Sequence, residues 1–156
     1  MLYVLDTSAL LDAWWKWYSP SSHPAFWDKL YDLAMRKEAT IPDAVVLEIE
    51  EKDANLYKWC KERESVICTP SEQAIQDKVT LISNTYPNLR RAGDPKRNFA
   101  DPVVIAVAQH LGAAVVAHEI PAGNLNGPKI PDVCKDMKIK VRWIYHIASE
   151  QKWVFR

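Results

Sequence analysis

A chain of 156 residues that is 48% hydrophobic, with seven Trp, six Tyr and three Phe, holds enough apolar material for one domain with a packed core; this excludes a disordered chain. Twenty basic residues balance twenty acidic ones, so the formal charge is zero and binding of nucleic acid by bulk charge is excluded; any polyanion contact has to come from a local patch or a bound metal. The three cysteines, Cys60, Cys68 and Cys134, form no C-x-x-C pair and have no zinc-type spacing, the pattern of reduced thiols in a cytoplasmic protein.

The first predicted element is a strand. Leu2 to Leu5 is a short apolar run that ends at Asp6, as a buried strand of a parallel sheet would. No basic segment or long apolar run accompanies it, so a signal peptide is not expected, and no stretch has the length of a membrane span. Thr7 or Ser8 is the expected cap of a helix through Ala13, which the aromatic segment Trp14 to Tyr18 ends. After a loop rich in Ser and Pro, Phe26, Trp27, Leu30, Leu33 and Ala34 recur at helical spacing.

Thr40-Ile41-Pro42 reads as a connector or edge strand, and Asp43 as the N-cap of a helix that carries Val46, Leu47, Glu48 and Ile49. A polar helix over about 55–63 comes next, then a strand at Ser65-Val66-Ile67-Cys68 and a helix opened by Pro70-Ser71. Residues 88–98 form a loop with Arg90, Arg91, Lys96 and Arg97. Asp101-Pro102 starts a helix that Gly112 stops, and Ala113 to Ala117 is a second buried strand. A loop over 120–131, a short helix from about Asp132, a strand over 140–144 and a helical tail complete the chain. Strands alternate with helices throughout, which predicts a single α/β domain over 1–156: a three-layer α/β/α sandwich around a central parallel sheet.

Four acids stand out against this frame. Asp6 and Glu119 follow strands, and parallel sheets place ligand sites at the carboxyl ends of their strands. Glu48 lies among apolar neighbours on its helix and should face partly inward, whereas Asp101 opens a helix. Taken singly, each has an ordinary explanation as a cap, a loop acid or a helix-surface residue. Gathered, they would make a hard-oxygen site for Mg²⁺ or Mn²⁺, since clustered carboxylates repel one another until a cation offsets them. His118, beside Glu119, is the one histidine of interest.

Together these residues resemble the PIN-domain nucleases. The resemblance is carried by Val4-Leu5-Asp6-Thr7-Ser8, by Glu48 in the helix after a Pro, by Asp101 in Ala-Asp-Pro-x-x-Ile-Ala, and by an acid after the next strand. The segment Lys129 to Cys134 is similar to that of short prokaryotic PIN-like proteins of the VapC toxin type. The resemblance implies that Asp6, Glu48, Asp101 and Glu119 are catalytic and hold Mg²⁺ or Mn²⁺. It also implies that Ser8 bonds a metal-held water or orients a carboxylate, that the substrate is RNA, and that the partners are an antitoxin protein and a second copy of the chain. Glu119 stands where many members have Asp, and Ala117 where a Thr or Ser is usual; Asn124 and Asn126 are alternative ligands.

Arg90, Arg91, Lys96 and Arg97 would grip phosphates if their loop folds over the site. Trp14, Trp15, Trp17 and Tyr18 could stack on unpaired bases or serve as core or interface, and Trp153 and Phe155 read as packing or dimer contacts. A non-catalytic RNA- or partner-binding module with the same fold is the second reading. A phosphotransfer domain is a third, but it would want an acid two residues after Asp6, where Ser8 stands.

Overall fold

The computed structural model describes residues 1–89 and 99–155. Five parallel strands form one sheet in the order β3-β2-β1-β4-β5. β1 (Tyr3–Leu5) pairs on one side with β2 (Ala39–Pro42) and on the other with β4 (Ala114–Val116); β3 (Cys68–Thr69) and β5 (Val141–Arg142) form the edges. Within the apolar runs expected for the first and fourth strands, Tyr3 to Leu5 and Ala114 to Val116 are buried at the centre, where both sheet faces are covered, and Leu2 is partly buried.

Helices cover both faces, so the chain is the three-layer α/β/α sandwich that the alternation predicts. α2 (Pro24–Met35) and α3 (Asp43–Glu50) lie against β2. They are joined by α1 (Thr7–Asp12), α4 (Ala54–Glu62) and α5 (Glu64–Ile67). α7 (Asp101–Leu111) crosses β1, β2 and β4 with α6 (Gln73–Thr85) and α8 (Ile130–Asp136) beside it. Right-handed crossovers that run outward in opposite directions from β1 place these two sets on opposite faces. α9 (Ile144–Glu150) follows β5, and Trp153 and Phe155 fold back onto Phe26 at ring distances of 5.7 and 6.3 Å, so the tail packs within its own chain.

Several local expectations are corrected. α1 is capped by Asp6, whose carboxylate accepts from the Ser8 N–H, and not by Thr7 or Ser8. The helix then widens into a π-helical turn over Ala13–Trp17, closed by the Tyr18 N–H on the Ala13 carbonyl at 2.8 Å. β2 is an interior strand and not a connector: Pro42 stands at its end, where a missing N–H is tolerated. Asp43 is the first residue of α3, and its carboxylate also accepts from the N–H and hydroxyl of Ser71, tying α3 to the start of the next crossover. Residues 64–67 are helical, with only Cys68 and Thr69 in a strand, and β5 ends at Arg142 because Ile144 starts α9. Among the described residues no helix is long and apolar enough to cross a membrane.

The strand order has one reversal. From β1 the chain moves outward through β2 to β3, then returns to β4 on the other side of β1 and moves out to β5. The carboxyl ends of β1 and β4 therefore flank the crevice where open α/β sheets bind ligands. Asp6 follows β1 there, and Glu119 lies just past β4.

Candidate functional site

Asp6 is 3% exposed, and its backbone N–H continues the ladder to the Val116 carbonyl at 2.9 Å. Burial pushes its carboxyl above the usual range, against the pull of the Ser8 hydroxyl, the Ser8 and Thr7 backbones and His118. The Ser8 hydroxyl donates to Asp6 Oδ2 at 2.7 Å and accepts from the His118 N–H at 3.0 Å. One small side chain thus orients the carboxylate at the end of β1 and latches it to the segment leaving β4. Of the two roles expected for Ser8, orienting a carboxylate is the one its bonds display.

Glu48 reaches the same edge from α3. It is half-buried, as the apolar neighbours on its helix predict, and its Oε2 stands 3.5 Å from the Thr7 hydroxyl. Burial, and then the nearby Asp6 carboxylate, push its acid up to about 7. The backbone N–H of Ala100 opposes that rise, which puts Glu48 beside the entrance of α7. Asp101 is the next residue, 5% exposed on the first turn of that helix, where a negative charge meets the positive end of the helix dipole.

Glu119 closes the other side. Burial, followed by Asp6, pushes its carboxyl up to about 7, and Oε2 accepts from the Ile130 N–H at 3.2 Å. The backbone thus supplies the donor that Ala117 cannot. The buried Cys134 thiol lies close by and is pushed up to about 12, by burial first and then by Asp6 and Glu119. Asp6, Glu48 and Glu119 thus share one field, centred on Asp6, and the sheet topology brings Asp101 to the same edge.

Two further acids matter here that the sequence does not mark as site residues. Asp132, on α8, accepts from the N–H groups of Ala122, Gly123 and Lys129 at 2.8 to 2.9 Å, pinning both ends of the loop that follows Glu119. Asp12 stands 2.9 Å from Nδ1 of His118, while Nε2 of that ring accepts from the Ile144 N–H at 2.9 Å. Since Nε2 is an acceptor, Nδ1 carries the proton and donates to Asp12. Burial holds His118 below its ordinary value, and the ring serves as a neutral strut between α1, β4 and α9. The only sequence signals for these two acids were a Pro-Asp pair at a helix start and a helix-spaced acid.

The donor set can be tested against the divalent cation that the resemblance implies. Carboxylate oxygens are the donors Mg²⁺ and Mn²⁺ prefer, and Mg²⁺ takes only one or two of them while keeping waters for its remaining positions. Three acids whose charged forms are all disfavoured define a place where added positive charge is stabilising. Among the described residues no three His, Cys, Asp or Glu side chains already stand at mutual ligand spacing. The fit is therefore one of chemistry and charge. Arg90, Arg91, Lys96 and Arg97 lie outside the described residues. Asn124 accepts from the N–H groups of Asn126 and Gly127 in a local turn of the exposed loop, which gives its carbonyl a structural task.

Comparison with known proteins yields one family. The profile of a domain of unknown function, DUF4411, matches residues 3–155. No curated protein matches the chain.

Proposed function

We propose a function for this chain, which belongs to the DUF4411 family over nearly its whole length: it is a metal-dependent endoribonuclease, similar in kind to the PIN nucleases. The observation that carries the reading is the shared field of Asp6, Glu48 and Glu119 at the β1/β4 crevice, with Asp101 buried on the same edge. Evolution tolerates buried carboxyls with raised proton affinity where a cation or a proton transfer uses them.

In this reading Asp6, Glu48, Asp101 and Glu119 hold Mg²⁺ or Mn²⁺. The cation supplies charge to offset the phosphodiester and a nucleophile from water at neutral pH. The chain's own residues do the positioning. Ser8 fixes the Asp6 carboxylate, Thr7 and the Ala100 backbone fix Glu48, and the Ile130 N–H fixes Glu119. His118, neutral and held at both ring nitrogens, keeps the end of β4 in register with α1.

The absence of a preassembled three-ligand group among the described residues favours one other reading, a binding module that keeps the fold without the chemistry. A single experiment separates the two. Single-stranded RNA is incubated with the protein in Mg²⁺, in Mn²⁺ and in EDTA, beside Asp101→Asn. The nuclease reading expects cleavage in either metal and none in EDTA or with the variant. RNA bound but intact in every condition gives the binding module, and cleavage undiminished in EDTA removes the metal from the proposal. The toxin role is a separate question, tested by co-expression with the product of a neighbouring reading frame and recovery of a complex that no longer cuts.

A further inference from the structure

One feature of the molecule is left over from both the core and the acidic edge. The π-helical turn over Ala13–Trp17 sends its tryptophans to different places. Trp14 turns inward and meets Trp27 edge-on at 4.8 Å. Trp17 turns the other way and stays 36% exposed. Its ring stands 6.0 Å from Trp143 with only 16° between the planes, 5.6 Å from Tyr145 at 29°, and 5.0 Å from His118. His118 itself stacks on Trp143 at 4.5 Å and 27°. Tyr145, on the first turn of α9, is 45% exposed.

These four rings form a graded stack. Its inner end is the His118 imidazole, whose side chain is buried and held by Asp12 and the Ile144 N–H. Its outer end, Trp17 with Tyr145, faces solvent. The inner end is one residue from Glu119, and the His118 backbone N–H bonds to the same Ser8 hydroxyl that orients Asp6. The stack is therefore built onto the carboxyl edge of the sheet and continuous with the acids. A core cluster would bury its large rings, and this one keeps two of them open. Lys16, one residue before Trp17, is mostly exposed and pairs its ammonium with Asp12 at 3.5 Å, which offsets the charge of the carboxylate that holds His118.

We infer that Trp17 and Tyr145, backed by Trp143 and His118, form a stacking subsite for an unpaired nucleobase of a single strand whose backbone crosses the acidic edge. Tyr145 also meets the His146 ring at 4.2 Å, so Trp17 and Tyr145 are partly exposed rings at the solvent end of a stack already begun. Such rings accept an unpaired base against them, and the interaction tolerates any sequence because every base has a π-face. Duplex does not fit such a site, because its bases are already stacked on one another. The inference rests on the nuclease reading for the strand's path past the acids, and on the rings alone for the base.

The test is affinity for short 5′-labelled oligoadenylate, by anisotropy at fixed low salt, in EDTA and in Mg²⁺. The comparison probes are an abasic strand of equal length and the oligoadenylate paired with its complement. The proteins are the full chain and its Trp17→Ala, Trp17→Phe, Tyr145→Ala and Tyr145→Phe variants, each checked by circular dichroism. The expected result is tighter binding of oligoadenylate than of the abasic strand or the duplex. Each Ala variant should weaken it about tenfold, while each Phe variant keeps most of the affinity. Because the base-against-abasic comparison uses the unaltered chain, it stands even if Trp17→Ala fails to fold. Equal binding of the abasic strand, no binding of any strand, or Ala variants that bind like the parent overturns the subsite. So does a Trp17→Ala protein that changes only from dimer to monomer in sedimentation, which makes the platform an interface between copies. The two readings fail separately: base-dependent binding without metal-dependent cleavage removes the nuclease and keeps the platform, and cleavage indifferent to Trp17 and Tyr145 does the reverse.

Discussion

Asp6 and Asp132 are both buried aspartates, 3% and 9% exposed, and their surroundings drive their carboxyls in opposite directions. Around Asp6, burial outweighs the Ser8 and Thr7 donors, and Glu48 and Glu119 crowd the same space with like charge. Around Asp132, burial also favours the neutral acid, but the N–H groups of Lys129, Ala122 and Gly123 outweigh it and hold the carboxyl below its usual range. The donors decide the outcome. A carboxylate encircled by backbone N–H groups is satisfied and acts as a clamp, whereas one left among other carboxylates is unsatisfied until a cation arrives. The loop after Glu119 is thus held by one acid so that another can be kept in an unfavourable state.

The largest expected effect tests the unsatisfied side. Asp6→Asn should lower metal-dependent cleavage by at least about a hundredfold, more than the loss typical of groups that only support ligands. In the same variant, the metal-free protein at pH 8 should melt at a higher temperature than the parent, because a like charge is gone. Mg²⁺ should raise the melting temperature of the parent and leave the variant nearly unmoved. A variant that melts lower than the parent without metal would show Asp6 to be a satisfied structural acid, and the contrast with Asp132 would collapse.

The clamp comes next. Asp132→Ala removes three charge-assisted bonds to the N–H groups of the exposed residues Ala122, Gly123 and Lys129, which water can then solvate, a loss of about 2 kcal/mol in chemical denaturation. The damage should begin locally, with faster amide exchange at Ala122 and Gly123. Stability equal to the parent's would mean that the loop is held by other contacts.

A pH series sharpens the comparison through linkage. Glu48 and Glu119 have folded values near 7 against about 4.3 unfolded, so the folded state keeps protons that the unfolded state has lost. Their contribution is favourable at low pH and is lost as pH rises from about 5 through 7. Asp6 acts in the same direction. His118 has the opposite sign: its folded value lies below the usual one, so it weakens the fold as pH falls below about 6.5. Three carboxyls outweigh one imidazole. The metal-free protein should therefore lose stability between about pH 5 and 8, each tenfold change in proton affinity being worth about 1.4 kcal/mol before solvent screening. Asp132 adds a fall below about pH 4, since a depressed carboxyl loses its contribution on protonation. Saturating Mg²⁺ should flatten the upper limb, and a metal-free melting temperature that climbs from pH 5 to 8 would contradict the shared field.

Much of this was legible in the sequence, and the rest fails for identifiable reasons. The two central strands announce themselves because both faces are buried and every residue must be apolar, and Gly112 marks the end of α7 because it adopts a left-handed φ of 64°. The four acids stand out in the sequence for a related reason: Asp6, Glu48 and Glu119 end or interrupt an apolar pattern, and Asp101 opens one. Ser65-Val66-Ile67 misleads because β-branched residues suggest a strand, yet Val66 is exposed and Ile67 alone is buried, so the segment has no second face to bury. The π-helical turn has no residue signature at all. Asp12 and Asp132 become significant only through tertiary partners, His118 lying 106 residues from Asp12 along the chain. The role of Asp43 likewise depends on Ser71.

The smallest expected effect concerns Glu119, which stands between the two regions compared. It shares the field of Asp6, yet it sits at the head of the loop that Asp132 clamps, and one of its oxygens already accepts from the Ile130 N–H. That oxygen resembles those of Asp132 in having a backbone donor, so part of the accepting capacity of the Glu119 carboxylate is already used. Asp101, at the start of α7, lies next to the Ala100 N–H that supports Glu48. Glu119→Gln should therefore leave the first, tight cation intact in calorimetric titration, weaken a second, and lower turnover several-fold, most visibly at low metal concentration. Asp101→Asn should lose the tight event itself. Gln can still accept from Ile130 through its carbonyl, so melting should move little, and any change in binding reports the charge and not the loop. If both variants lose the tight event equally, Glu119 belongs wholly with Asp6. If Glu119→Gln alters neither binding nor rate, its charge serves no cation, and Glu119 belongs with Asp132 on the structural side.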